Sequence, residues 1–84
     1  MQARSTPKTR YEPVKRPTVR DGYPQRIEIW DALDALGSAN RHELLNELVR
    51  RGHRRPLGAE VDINYTRIEL TDMCKRGFIR RIED

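Results

Sequence analysis

Three side chains in this sequence have the chemistry of metal ligands: His42, His53 and Cys74. A zinc site recruits such residues in close pairs, as C-x-x-C or as two histidines a helical turn apart. Neither spacing occurs. Cys74 is the sole cysteine, so the chain holds no internal disulfide. As a nucleophile it would need a base held beside it, and no motif supplies one; a small core residue is the expected role. Asp31 and Asp34 share a helical face, a spacing that pairs carboxylates for acid–base work, but solvation of an outer face explains them more simply. These residues predict no metal, no cofactor and no enzyme.

The basic residues carry more. Arg50-Arg51 and Arg54-Arg55 form a dense patch, open to two readings: contact with phosphate or an acidic protein, or complementation of a helix C-terminus followed by a solvated loop. The net charge of +4 is unevenly spread. Residues 1–26 hold seven basic and two acidic residues, while residues 27–84 hold ten basic and eleven acidic ones. A basic leading segment is a footprint of nucleic-acid binding, and equally of a solubilising tail.

Those side chains need elements to hold them. Eighty-four residues make one small domain with a modest core. No apolar run approaches the roughly 18 residues of a membrane span, and no apolar stretch follows Arg4 as in a secretory signal. The expected location is the cytoplasm. Residues 1–24 contain four of the five prolines and few large apolar residues, which predicts a flexible basic arm. Within it, Tyr11 to Val14 or Thr18 to Tyr23 has the pattern to lie on the domain as an edge strand. The domain is expected over residues 25–84. Pro24 suits a helix start, and Ile27, Ile29, Trp30, Leu33 and Leu36 give that helix a buried face up to Gly37. Asn40 with Glu43 resembles a capping box, followed by the stripe Leu44, Leu45, Leu48 and Val49 and a stop at Gly52. His53 to Glu60 reads as a connection broken by Pro56 and Gly58. Asp62 predicts the cap of a third helix with Ile63, Thr66, Leu70 and Met73 inside and Cys74 beside them. Gly77 ends that helix, and Phe78 to Ile82 alternates as a strand.

The run Leu70-Thr71-Asp72-Met73-Cys74-Lys75-Arg76-Gly77-Phe78-Ile79-Arg80 resembles the recognition-helix-to-wing junction of winged helix-turn-helix proteins. Leu70 and Met73 resemble its paired core positions, Gly77 its turn, and Phe78 and Ile79 its returning strand. Over residues 27–82 the layout is similar to the PadR and MarR families of bacterial transcription regulators. The resemblance implies a mainly α fold: a three-helix winged helix-turn-helix with a short C-terminal strand behind an extended basic N-terminal arm. It implies a partner in double-stranded DNA, with the third helix in a major groove. Asn64, Tyr65 and Arg67, with Ile68, would then face bases. Arg54, Arg55, Lys75, Arg76, Arg80 and Arg81 would lie near phosphates, and Arg16 and Arg20 of the arm would enter an adjacent minor groove. A homodimer through the first helix or the arm would read two symmetric half-sites. The size suits a phage or mobile-element regulator.

Three features point instead to an adaptor that binds a protein of the transcription machinery, such as RNA polymerase. Seven residues follow Gly77, too few for both strands of a wing. The connection from Gly52 to Asp62 exceeds a tight helix-turn-helix turn. Asp62, Glu69 and Asp72 would repel phosphate if they faced it. An RNA-binding module has less support, since the aromatic residues are scattered and no stacking motif appears.

Overall fold

The computed structural model describes residues 9–21, 24–55 and 58–82. Expectations resting on Arg4, Pro7, Lys8, Tyr23 and Pro56 lie outside the described residues. The chain runs through β1 (Arg10–Pro13), a 3-10 turn (Val19–Asp21), α1 (Pro24–Leu36), α2 (Arg41–Arg50), α3 (Ile63–Lys75) and β2 (Ile79–Ile82). It is mainly helical, with one two-stranded antiparallel sheet. Among the described residues, no helix is long and apolar enough to cross a membrane.

Each helix begins and ends for a local reason. Pro24 opens α1, where a missing N–H costs nothing. Asn40 caps α2: its side chain accepts from the Glu43 N–H at 2.8 Å, and the Glu43 carboxylate accepts from the Asn40 N–H at 2.9 Å. Asp62 caps α3 by accepting from the Tyr65 N–H at 2.7 Å. At the far end of α3, Gly77 takes a φ of +83°, a left-handed conformation that glycine adopts without steric cost. The Gly77 N–H then donates to the Cys74 carbonyl and the Phe78 N–H to the Met73 carbonyl, which turns the chain back under the helix.

The core takes Ile29, Ala32 and Leu33 from α1, Leu44 and Leu48 from α2, and Thr66, Leu70 and Met73 from α3. Phe78 and Ile79 close it from below. Trp30, expected as a core anchor, packs at its edge and donates its indole N–H to the Phe78 carbonyl at 2.9 Å. Val49, expected in the buried stripe of α2, is 59% exposed, although its neighbour Leu48 is fully buried.

Within the leading basic segment, residues 10–17 lie on the domain, the alternative expected for Tyr11 to Val14 as an edge strand. Arg10 to Pro13 pair antiparallel with Ile82 to Ile79. On its other edge β1 meets the link between α1 and α2: the Tyr11 N–H donates to the Ala39 carbonyl at 2.8 Å, and the Tyr11 carbonyl accepts from the Ala39 N–H at 3.0 Å. The Tyr11 ring belongs to the core, the Pro17 side chain is fully buried, and Arg16 grips Asp31 with two bonds of 2.9 Å. Tyr11 to Val14 has the pattern of an edge strand, and Arg10 to Pro13 forms one strand of a two-stranded sheet, with a single further bridge from Tyr11 to Ala39. The reason is backbone satisfaction. Without β1, the inner edge of β2 would leave donors and acceptors unpaired beside an apolar core. β2 therefore has a partner strand, and it arrives from the N-terminal side of the domain rather than after β2.

Candidate nucleic-acid interface

The acidic residues of α3 decide what its surface presents. The spacing of Asp62, Glu69 and Asp72 leaves open whether they face solvent, and the structure engages each of them. Asp62 is the N-cap. Glu69 is buried against Arg26, an arginine of α1 that is itself 6% exposed. Asp72 accepts from Arg26 Nη2 at 2.8 Å and from Arg76 Nε at 2.9 Å. A buried pair such as Arg26–Glu69 stands because each charge compensates the other's lost hydration. Its placement buries Glu69 toward α1, while Asp72, paired with Arg26 and Arg76, stays part-exposed at the margin of the outer face beside Ile68 and Lys75.

What remains outside is a strip one helical face wide: Asn64, Arg67, Ile68, Thr71 and Lys75, all exposed. Arg67 Nη2 donates to Asn64 Oδ1 at 2.7 Å, and the Thr71 hydroxyl donates to the Arg67 carbonyl at 2.9 Å. Lys75 has no acidic partner among the described residues. Ile68 is 50% exposed at the centre of this strip. Toward its C-terminal end the strip borders an open groove of about 450 Å³ between α3 and the strand pair, lined by Tyr11, Thr71, Cys74, Lys75, Ile79, Arg80 and Arg81.

Tyr65, expected beside Asn64 and Arg67 on the outer face, is a correction: it is buried. It lies one residue before Thr66 on the inner side of α3, where its ring covers the connection between α2 and α3. His53, read as part of a solvated loop, is buried there too. Its Nε2 lies 3.1 Å from the Tyr65 hydroxyl and its Nδ1 3.1 Å from the Glu28 carboxylate of α1. The His53 and Tyr65 rings stack at 6.0 Å, and the Arg55 guanidinium sits 5.9 Å from the Tyr65 ring centre. A contact between a loop residue and a helix residue has no periodicity to betray it.

The remaining basic positions divide sharply. Arg54 faces Glu60 at 3.7 Å across a short bridge, Arg76 holds Asp72, and Arg80 donates to the Glu12 carboxylate on β1. Arg16 is engaged by Asp31, which its hydrogen bonds hold below the usual carboxylate range. Arg50 and Arg51 both bond Glu47, pulling that carboxyl down to about 2. Arg20 is exposed in the 3-10 turn, and Arg81 is exposed on β2. Burial pushes the Cys74 thiol up, against the pull of Arg81, which keeps it protonated and unreactive at neutral pH. Among the described residues, no cluster of three potential metal ligands occurs.

Two residues that shape this surface, exposed Thr71 and buried Arg26, escaped the sequence reading. Thr71 follows Asn64 at a two-turn spacing, a signal that periodicity carried but a search for hydrogen-bonding side chains did not weigh. Arg26 was counted with the leading basic segment, and nothing local marks it for burial. No family model, curated protein or solved structure matches the chain.

Proposed function

We propose that this domain is a small DNA-binding transcriptional regulator that lays α3 in a major groove, with the strand pair beside it. The observation that carries the reading is the outer strip of α3, which offers hydrogen-bonding, cationic and apolar side chains while Glu69 is buried and the bordering Asp72 is paired with Arg26 and Arg76. Base edges require such a mixture: donors and acceptors for base atoms and an apolar group for the thymine methyl. Lys75, with Arg81 across the groove, is spaced to meet the adjoining phosphates. On this reading the domain is a winged helix-turn-helix in which β1 serves as the second strand of the wing. A cytoplasmic regulator of phage or mobile-element origin fits its size.

A second reading draws on the many engaged arginines. Ion pairs at Arg16, Arg54, Arg76 and Arg80 lower the positive field that supplies much of DNA affinity. With Ile68 as an exposed apolar anchor, the same strip would suit an adaptor that docks on a protein such as RNA polymerase.

Titration with random-sequence duplex DNA at two salt concentrations separates the two, using the full chain and a chain lacking residues 1–9. The shortened chain must stop there, since Tyr11 belongs to the core. The DNA reading expects affinity that falls steeply with salt and weakens when Arg4 and Lys8 are removed. Absence of binding at the lower salt, with the full chain folded, rejects it in favour of the adaptor.

A further inference from the structure

The hydrogen bond between Arg67 and Asn64 has a directional consequence. A guanidinium only donates, so the atom it meets at 2.7 Å must be the amide oxygen of Asn64, and the amide's orientation is thereby settled. One of the two lone pairs of the Asn64 oxygen is engaged inside the pair. What the pair offers outward is dominated by donors, the Asn64 amino group and the other N–H groups of Arg67.

In the major groove guanine presents two acceptors, N7 and O6, whereas adenine presents one acceptor and the N6 amino donor. A lone asparagine suits adenine because it offers its oxygen and its amino group side by side. Here an incoming adenine amino group would meet an oxygen already flanked by a cationic donor fork, so donors would confront donors. Guanine meets no such conflict. Ile68, next to Arg67 and half exposed, adds an apolar surface, for which thymine supplies the matching methyl.

We infer that Asn64 and Arg67 act as one donor unit that reads a single guanine, with Ile68 set against the methyl of a thymine in a neighbouring base pair. The inference rests on the DNA reading above and names what the same strip recognises. It makes Asn64 a specificity residue through its partnership with Arg67, not an independent reader of adenine. Holding Arg67 in place beforehand also reduces the rotamer freedom lost on binding.

The test is selection of sites from a randomised duplex library with the parent chain and with Asn64→Ala, Arg67→Ala and Ile68→Ala. All three side chains are exposed, and melting curves matching the parent's establish that the variants fold. The expected result is an enriched site in which Asn64→Ala and Arg67→Ala relax the same guanine. Replacing that guanine with 7-deazaguanine should weaken parent binding roughly 5- to 10-fold and add little to the loss already caused by Arg67→Ala. Ile68→Ala should relax an adjoining thymine, and uracil in its place should weaken the parent a few-fold. If the two variants relax different base pairs, or Asn64→Ala relaxes an adenine, the shared donor unit is overturned while the DNA reading stands. If no site is enriched by the folded parent chain, the DNA reading falls and this inference with it.

Discussion

Two basic regions of this small domain are built in opposite ways. At the end of α2, Arg50 and Arg51 share Glu47, so two cations converge on one carboxylate. On the outer strip of α3, among the described residues, the Arg67 guanidinium bonds the neutral Asn64 and Lys75 stands without an acid. The first region is denser in arginine, yet it is the second that keeps charge available. The difference teaches that a count of basic residues says little about a binding face. What matters is where the neighbouring carboxylates are held, and here Arg26 holds two of them from across the helix interface.

The largest effect should come from removing that arginine. Arg26→Ala removes the buried ion pair with Glu69 and should cost about 3–5 kcal/mol of stability, read by urea unfolding. Arg26→Met with Glu69→Leu should recover much of the loss. A cost below about 1 kcal/mol for the single variant would break the contrast at its root, since Glu69 would then need no sequestering.

Next in size is the turn that places β2, and with it Arg80 and Arg81, beside α3. No atom lies within 4 Å of where a Cβ on Gly77 would sit, so the penalty of Gly77→Val is a backbone one. At a φ of +83° a β-branched residue should cost about 2 kcal/mol. A thermal melt identical to the parent's would mean the turn is not under this constraint.

Smaller, but aimed directly at the comparison, is the salt dependence of DNA binding. Lys75→Ala should lower the slope of log affinity against log salt by about one, while Arg50→Ala should leave it nearly unchanged. Equal effects from the two would erase the distinction between available and engaged cations.

The smallest effect concerns pH. Glu47 has its pKa lowered from 4.5 to about 2 by hydrogen bonds from Arg50 and Arg51. Its folded-state pKa lies below its unfolded one, so its stabilising contribution is present above about pH 4.5 and lost as pH falls toward 2. Asp31, lowered by Arg16, acts in the same direction. Glu47→Gln should flatten part of the acid limb of a stability profile and leave neutral DNA binding alone. An unchanged acid limb would argue that the α2 cluster is not joined in solution.

Much of the architecture was legible because it is written in short-range chemistry. Asn40 with Glu43, Asp62 before Ile63, and Gly77 after Lys75 are local devices, each acting over a few residues. The apolar spacing of Ile29 with Leu33, Leu44 with Leu48, and Leu70 with Met73 says which helix sides turn inward. The candidate site was legible only in part. Asn64 and Arg67 lie outside because a 3.6-residue period puts Asn64 opposite Met73 and Arg67 about a third of a turn from it. Tyr65 does not, because the inner face of α3 is widened by the connection that folds over it. The edges of a helical face depend on what packs there, and periodicity alone does not say.

Sequence by itself determined where the helices start and stop, which side of each is apolar, and that no metal-ligand or catalytic motif is present. Tertiary structure alone decided that Tyr11 enters the core between Ala39 and β2, that His53 lies beneath Tyr65, and that Arg26 buries Glu69 and pairs with Asp72. The physical reason is range. Caps and amphipathic stripes are set by neighbours one turn away, whereas strand pairing and buried charge compensation join residues tens of positions apart, and those exist only once the chain has closed on itself.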